Sequence, residues 1–291
     1  MISPSPRANA YDRSTMRRSL SYRSSVRRFF HRGFSAEDIA QSLISYDAAR
    51  PAPEVKARMV LNDLRVAGLR FDGHVVGYVF RDELGEERCL DHLRPIEDAR
   101  LLDHEAPLHE ALVRVAEQEF VFVRTLGEVG GIITRSDLGK PPVRMWIFGL
   151  LTVMESAFAR HIRSRFPDDG WRSHLSSNRQ RRAEHLQVER RRRKESRDVI
   201  DCLQFSDKAQ ILFKNPGARE ELGIRSWTAG KQLIKELEQL RNSLAHAQDI
   251  TESWSTIATL ATHVDAVLDL YDGEEGSMAE RTRPRPEGEQ T

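Results

Sequence analysis

Cysteine is scarce in this chain: two residues in 291, Cys89 and Cys202, far apart and without the short paired spacing of a zinc ligand set. That excludes a disulfide framework and fits a reducing cytosol. Long hydrophobic runs are missing as well. The longest lies near Met145 to Met154, well short of the ~20 residues that a membrane-spanning helix needs, so no membrane segment is expected and the chain is read as cytoplasmic. Nor does either charge dominate. With 45 Lys and Arg against 44 Asp and Glu the net charge is +1, so any affinity for nucleic acid must come from how charge is distributed. His161, His174, His185 and His263 have no carboxylate or Cys at ligand spacing, which predicts no metal site. No glycine-rich phosphate loop and no serine nucleophile elbow is found.

What remains is 31% charged and 39% hydrophobic residues, the profile of a helix-rich protein with a polar surface, long enough for two modest domains. Residues 1–34 are rich in Arg and Ser, with Asp12 the one acid. A nucleic-acid arm or a transit-like peptide would share that composition; the expectation here is a disordered tail. Residues 273–291 are expected to be a second disordered tail.

Between these tails the first half of the chain repeats itself. Ala52 to Leu84 aligns without a gap on Ala106 to Leu138, at an offset of 54. Ala52, Pro53, Ala57, Arg70, Gly73, Val75, Gly77, Arg81 and Leu84 meet the same residue types in the second copy. Such a self-match implies a duplicated unit. In each copy a Pro opens a helix, expected over Val55 to Val66 and Leu108 to Glu119. Two β-rich runs around Gly73 or Gly127 then read as a hairpin. The unit is β-α-β-β-α, too small to bury its sheet alone, so the two copies are expected to pack on each other.

This pattern resembles a tandem pair of CBS domains over residues 35–144, most specifically in G-I-I-T-R-S-D-L, Gly131 to Leu138. The resemblance implies an adenine nucleotide as regulatory ligand, with Thr134 and Asp137 contacting phosphate and ribose. A hydroxyl can donate to a phosphate oxygen and a carboxylate can accept from ribose hydroxyls. Read from the residues alone, Thr134 and Asp137 serve equally well as helix caps, and both readings stand at this point. The first copy has Phe80 and Glu83 in those places, so at most one competent nucleotide site is expected.

From Met145 onward β signals vanish. Trp146, Leu150, Val153, Met154, Ala157, Phe158, His161 and Ile162 form a helical stripe running to Arg165, which Pro167 and Gly170 terminate. Glu155 lies off that stripe, either solvated or paired with Arg241. Residues 171–197 are polar and basic, with Arg179, Arg181, Arg182 and the run Arg190 to Lys194. Four consecutive arginines wrap round every side of a helix. Glu184, Glu189 and Glu195 therefore cannot neutralise them all, and a phosphate-binding surface is the favoured reading over a solvated face. A further helix carries Leu233, Ile234, Leu237, Leu240 and Leu244 on its buried side. At about 100° per residue, Asn242 and His246 fall opposite that stripe and Arg241 on its flank. Thr251 to Tyr271 is expected to be one closing amphipathic helix with Thr251 as N-cap.

The segment R-N-S-L-A-H, Arg241 to His246, resembles the signature of HEPN domains, in which an Arg, a following polar residue and a His four to six positions on form a ribonuclease site. That resemblance covers roughly residues 145–272. It implies a homodimer whose two motif copies line one cleft, and RNA cleavage without a metal cofactor. Arg241, Asn242 and His246 are the expected catalytic residues. The fold class expected is therefore α+β: a CBS pair (35–144) followed by an all-α HEPN-like bundle (145–272). The function expected is a nucleotide-sensing, toxin- or defence-like endoribonuclease that binds RNA. The alternative is a non-enzymatic RNA-binding or dimerising regulator whose CBS pair is a scaffold.

Overall fold

Tight two-residue turns set the geometry of the duplicated half. Asp72 and Gly73 both have positive φ, 51° and 89°, as do Leu126 and Gly127, 51° and 88°. Left-handed backbone at both positions matches the twist of paired strands. The protein is described here by a computed structural model covering residues 22–281. Its elements begin with α1 (Tyr22–Arg32), β1 (Gln41–Ser42), β2 (Ser45–Asp47), α2 (Ala52–Leu61), β3 (Val66–Phe71) and β4 (His74–Phe80). The second copy follows as β5 (Leu101–Asp103), α3 (Leu108–Gln118), β6 (Phe120–Thr125) and β7 (Glu128–Thr134). The helical half consists of α4 (Pro141–Arg165), α5 (Ser177–Arg192), α6 (Val199–Cys202), α7 (Phe205–Lys214) and α8 (Pro216–Glu221), then α9 (Trp227–Ala245), α10 (Trp254–Thr262) and α11 (Val264–Arg281). The fold is α+β, as expected.

Each copy places its first strand parallel to its second and its hairpin antiparallel, giving sheets β2-β3-β4 and β1-β7-β6-β5. The edges are exchanged. β1, which precedes the first copy, pairs with β7 of the second, with Gln41 opposite Ile132. Arg94, which follows the first copy, bridges Tyr78 of β4, and Tyr78 is the counterpart of Ile132 at the offset of 54. Gly77 is required by this crossing, since a Cβ there would lie 2.4 Å from the Arg94 carbonyl oxygen. Tyr78, Phe120 and Phe122 pack between the two sheets in edge-on and tilted ring contacts.

The duplication is real, but the gapless alignment is not its structural register. The hairpins superpose at 54 (128 − 74), whereas the preceding strands and helix starts superpose at 56 (108 − 52). Pro51 and Pro107 occupy the N-cap position of α2 and α3, so Ala52 corresponds to Leu108 and Val55 to Ala111. A longer joint between α2 and β3 absorbs the two residues, with Asp63 at a positive φ of 49°. Residues 62–66 are consequently not helical. The expected closing helix is also unequal in the two copies. After β4 the chain makes only short 3₁₀ turns, while after β7 a 3₁₀ turn leads directly into α4.

Two domain boundaries move. Residues 22–34 are not a tail: Phe30 is buried, its ring meets Trp146 edge-on, and its carbonyl accepts the Trp146 indole N–H at 3.1 Å. Arg27 binds Asp265, Asp269 and Asp272, clasping α1 to α11. The rest of that tail, residues 1–21, lies outside the described residues, as do residues 282–291. α11 continues past the boundary drawn at 272. One apolar core runs from Phe30 through the second copy to Leu268, whereas the first copy keeps its own core around Val55, Met59 and Leu69. The closing helix is broken at His263 into α10 and α11, which lets Ile257, Leu260, Val264 and Leu268 all reach the core. Thr251 begins a 3₁₀ turn and bonds Asp249 through its hydroxyl.

At the α1–α3 contact His109 meets His31 at 5.1 Å between rings, and its buried Nδ1 has no partner among the described residues. Burial, then the neighbouring His31, hold His109 below the usual imidazole range; burial and then Lys214 do the same for His174. A lowered imidazole binds fewer protons folded than unfolded, so stability falls as pH drops through and below about 6.5. The melting temperature should therefore decline between pH 7.5 and 5.5, and His109→Phe should flatten that decline.

Candidate nucleic-acid site

The helical half buries charge along one face of α7. Lys208 is 3% exposed and donates to Glu155 of α4 at 2.8 Å. The other oxygen of Glu155 lies 3.6 Å from the Arg241 guanidinium on α9. Glu155 therefore bridges a buried ammonium and the motif arginine. Beside Lys208, Asp207 is buried too and pairs with Arg179 of α5 at 2.8 Å. A buried charge is tolerated only when paired, so these ion pairs fix how α4, α5, α7 and α9 meet. Arg241 itself stays half-exposed, and Asn242 and His246 are exposed, opposite the buried Ile234, Leu237 and Leu240 as the helical spacing requires.

His246 ends α9 as its C-cap. Ala247 follows at φ 52°; its N–H donates to Leu244 and that of Gln248 to Ser243. This is a Schellman closure with Ala where Gly is usual. Asp249 then accepts from Thr251, whose N–H and hydroxyl hold the carboxylate below its ordinary range. Along α5 only Ala183 is buried. Arg172 takes Glu184 and Arg192 takes Glu189. Among the described residues Arg182, Arg190, Arg191, Arg193, Lys194 and Arg197 have no carboxylate partner, leaving a basic arm open to an anion.

In the second copy, Thr134 ends β7 and Asp137 stands in the 3₁₀ turn after it, 1% exposed. Its carboxylate accepts from the Thr134 N–H at 2.7 Å and hydroxyl at 3.0 Å, from the Gln41 amide at 2.5 Å, and pairs with Lys140 at 2.9 Å. The capping arrangement is thus formed, and every donor on Asp137 is internal. The first copy repeats the scheme with other residues. Arg94 grips Glu83 through two hydrogen bonds of 2.7 and 2.8 Å and lies over Phe80. Gln41 and Arg94 are equivalent edge residues, each covering the carboxylate at the end of the opposite strand.

Gln41, Lys140, Arg144 and Lys208 were not singled out by sequence reasoning. Lys208 had a signal, since it sits on the apolar face of α7 with Phe205, Ala209 and Leu212. Among the described residues no group of three or more His, Cys, Asp or Glu is placed to hold a metal ion, and no helix is long and apolar enough to cross a membrane.

No family model matches the sequence, and no curated protein does. Solved structures overlap part of the chain. A CBSX2 protein in complex with AMP is 15% identical over 39% of this chain and 98% of its own, with a TM-score of 0.35. A CBS domain-containing protein of unknown function from Bacillus anthracis is 14% identical over 38% and 94%, at 0.34. An uncharacterized conserved protein from Pyrococcus horikoshii is 19% identical over 36% and 88%, at 0.32. Likeness of that extent carries no functional weight.

The bridge is open to direct test. Glu155→Ala strands the Lys208 ammonium, which should cost about 3 kcal/mol, the low end for a broken buried pair because Glu155 keeps partial exposure. Urea unfolding should register that loss, and Glu155→Leu with Lys208→Met should recover most of it.

Proposed function

We propose that the helical half cleaves RNA without a metal cofactor, and that the duplicated half regulates it by taking an adenine nucleotide at Thr134 and Asp137. The observation that carries the reading is the Glu155 bridge. It holds Arg241 against α4 while leaving part of the guanidinium in solvent, on the same helix end as the exposed His246. Imidazole titrates near neutrality and can take the proton from a ribose 2′-hydroxyl or return one to the leaving oxygen. The fork of a guanidinium offers donors to the negative charge that grows on phosphorus oxygens. Asn242, four residues before His246, is placed to orient the imidazole or the phosphate. The unpaired cations of α5 would supply sequence-independent affinity.

One helix gathers these groups poorly. Arg241 and His246 are five residues apart, about 140° round the axis, which favours a cleft completed by a second copy. Met145 and Phe148 support that arrangement. Both are more than half exposed on the first turns of α4, and Arg144 beside them contacts the end of α9. An isologous dimer would bury that face. A non-catalytic reading draws on a different observation, the internal occupation of Asp137 and Glu83, which suits a scaffold.

Single-stranded RNA in chelator should be cut to products ending in a cyclic phosphate, with losses of at least ~100-fold in His246→Ala and Arg241→Ala. ATP, ADP or AMP should change the rate, and Asp137→Ala should abolish that response. Cleavage that needs Mg²⁺, or survives both substitutions, would overturn the mechanism. The same RNA bound but uncut by wild type would favour the regulator.

Sedimentation of the full chain at micromolar concentration should give a dimer, shifted to monomer by Phe148→Glu. A wild-type monomer would remove the composite cleft.

A further inference from the structure

We infer that Arg144 is a positioning residue that sets the His246 turn and links it to the Asp137 turn of the second copy. The inference rests on reading Arg241, Asn242 and His246 as a site, but its geometry is independent of the chemistry done there. The last carbonyls of a helix have no partner within it. At the end of α9 two of these oxygens, and the carbonyl of Gln248 just past the helix, converge on one guanidinium. Arg144 donates to Gln248 O at 2.8 Å and approaches Ser243 O and Leu244 O at 3.3 and 3.4 Å. Ser243 and Leu244 are the same carbonyls that close the Schellman turn around His246. That turn carries an alanine in left-handed backbone, φ 52°, a conformation that disfavours any side chain. A cation bound across its carbonyls holds closed a turn that its own sequence closes weakly.

Arg144 lies four residues after Lys140, and its N–H donates to the Lys140 carbonyl. Lys140 is the N-cap of α4; its ammonium bonds Ile39 O at 2.6 Å and pairs with Asp137 at 2.9 Å. A single helical turn therefore separates the Asp137 carboxylate from the clamp on α9. A second contact reinforces the same junction. The turn 135–139 packs on the turn 251–253, with the Arg135 guanidinium 4.2 Å above Trp254. Any change in what Asp137 binds displaces the start of α4 and, through Arg144, the backbone of His246.

The test is amide hydrogen exchange on the full chain, read together with RNA cleavage. Arg144→Ala should speed exchange at Ala247 and Gln248 by tenfold or more while the middle of α9 keeps its protection. Arg144→Lys, which retains charge but loses the fork, should fall between. Lys140→Met should speed the same two amides in wild type and have no added effect in Arg144→Ala. Ala247→Gly relieves the left-handed strain, so in the Arg144→Ala background it should restore protection without restoring the response to Lys140→Met. If RNA is cut, Arg144→Ala should lower kcat with KM little changed. Unaltered exchange in Arg144→Ala, or additive effects of Lys140→Met and Arg144→Ala, would overturn the inference whether or not RNA is cleaved. Absence of cleavage with the expected exchange pattern would instead fault the ribonuclease reading alone.

Discussion

The structure depends on the two-sided burial of α4. Its first half buries Val143, Trp146, Ile147 and Leu150, and its second half Met154, Ala157, Phe158 and Ile162. Trp146 also spends its indole N–H on the Phe30 carbonyl, so the helix, the N-terminal α1 and the second copy form one cooperative core. Truncating a buried aromatic of this kind costs about 3–5 kcal/mol, a large fraction of the 5–15 kcal/mol that holds an ordinary domain together. α4 is at once the closing helix of the second copy and the first helix of the bundle. The two halves are therefore not beads on a linker. A rotation of one against the other would break this core, whereas the first copy keeps a core of its own and meets the second through the aromatic layer of Tyr78, Phe120 and Phe122.

Charge is organised around the same helix. Lys208 and Asp207 are adjacent on α7 and buried, yet point to different partners, Glu155 on α4 and Arg179 on α5. Their value lies less in net stability, which buried pairs supply poorly, than in fixing which faces meet. Any other register of α7 would strand an ion. The Glu155 bridge extends that precision to Arg241, whose long side chain, on the proposed reading, would otherwise lose its rotamer freedom only on binding a phosphate. Holding it in advance lowers that entropic cost.

The sequence disclosed what is local and periodic. Hairpin turns, the stripe of α4 ending at Arg165 and the outward placement of Asn242 and His246 follow from spacing alone, and the structure has each of them. It disclosed poorly what depends on partners distant in the chain. α1 has no acids to neutralise its arginines locally; the aspartates some 240 residues later on α11 and the buried Trp146 of α4 make it a docked helix. The register of the copies is hidden in the sequence because identical Ala-Pro pairs align by letter while the proline N-caps align by position, two residues apart. The exchange of edge strands leaves no sequence mark either, because β1 is two residues long and Arg94 makes a lone bridge.

That exchange bears on what a ligand must do. The cap on Asp137 and a contact to ribose are not alternatives at one carboxylate but competitors for its oxygens. Gln41 and Lys140 already hold Oδ1, and hydrogen bonds to a charged group are worth about 1.5–3 kcal/mol each. On the proposed reading, a nucleotide binds only by offering more than the donors it displaces, and the difference is the free energy available to move α4. A carboxylate left open would bind more tightly and signal less. The first copy shows the other limit: Arg94 holds both oxygens of Glu83 in a two-pronged grip, but both side chains stand in solvent, where an ion pair contributes little. On the proposed reading, the buried seal, on the copy fused to α4, is the one whose opening a ligand can convert into movement of that helix.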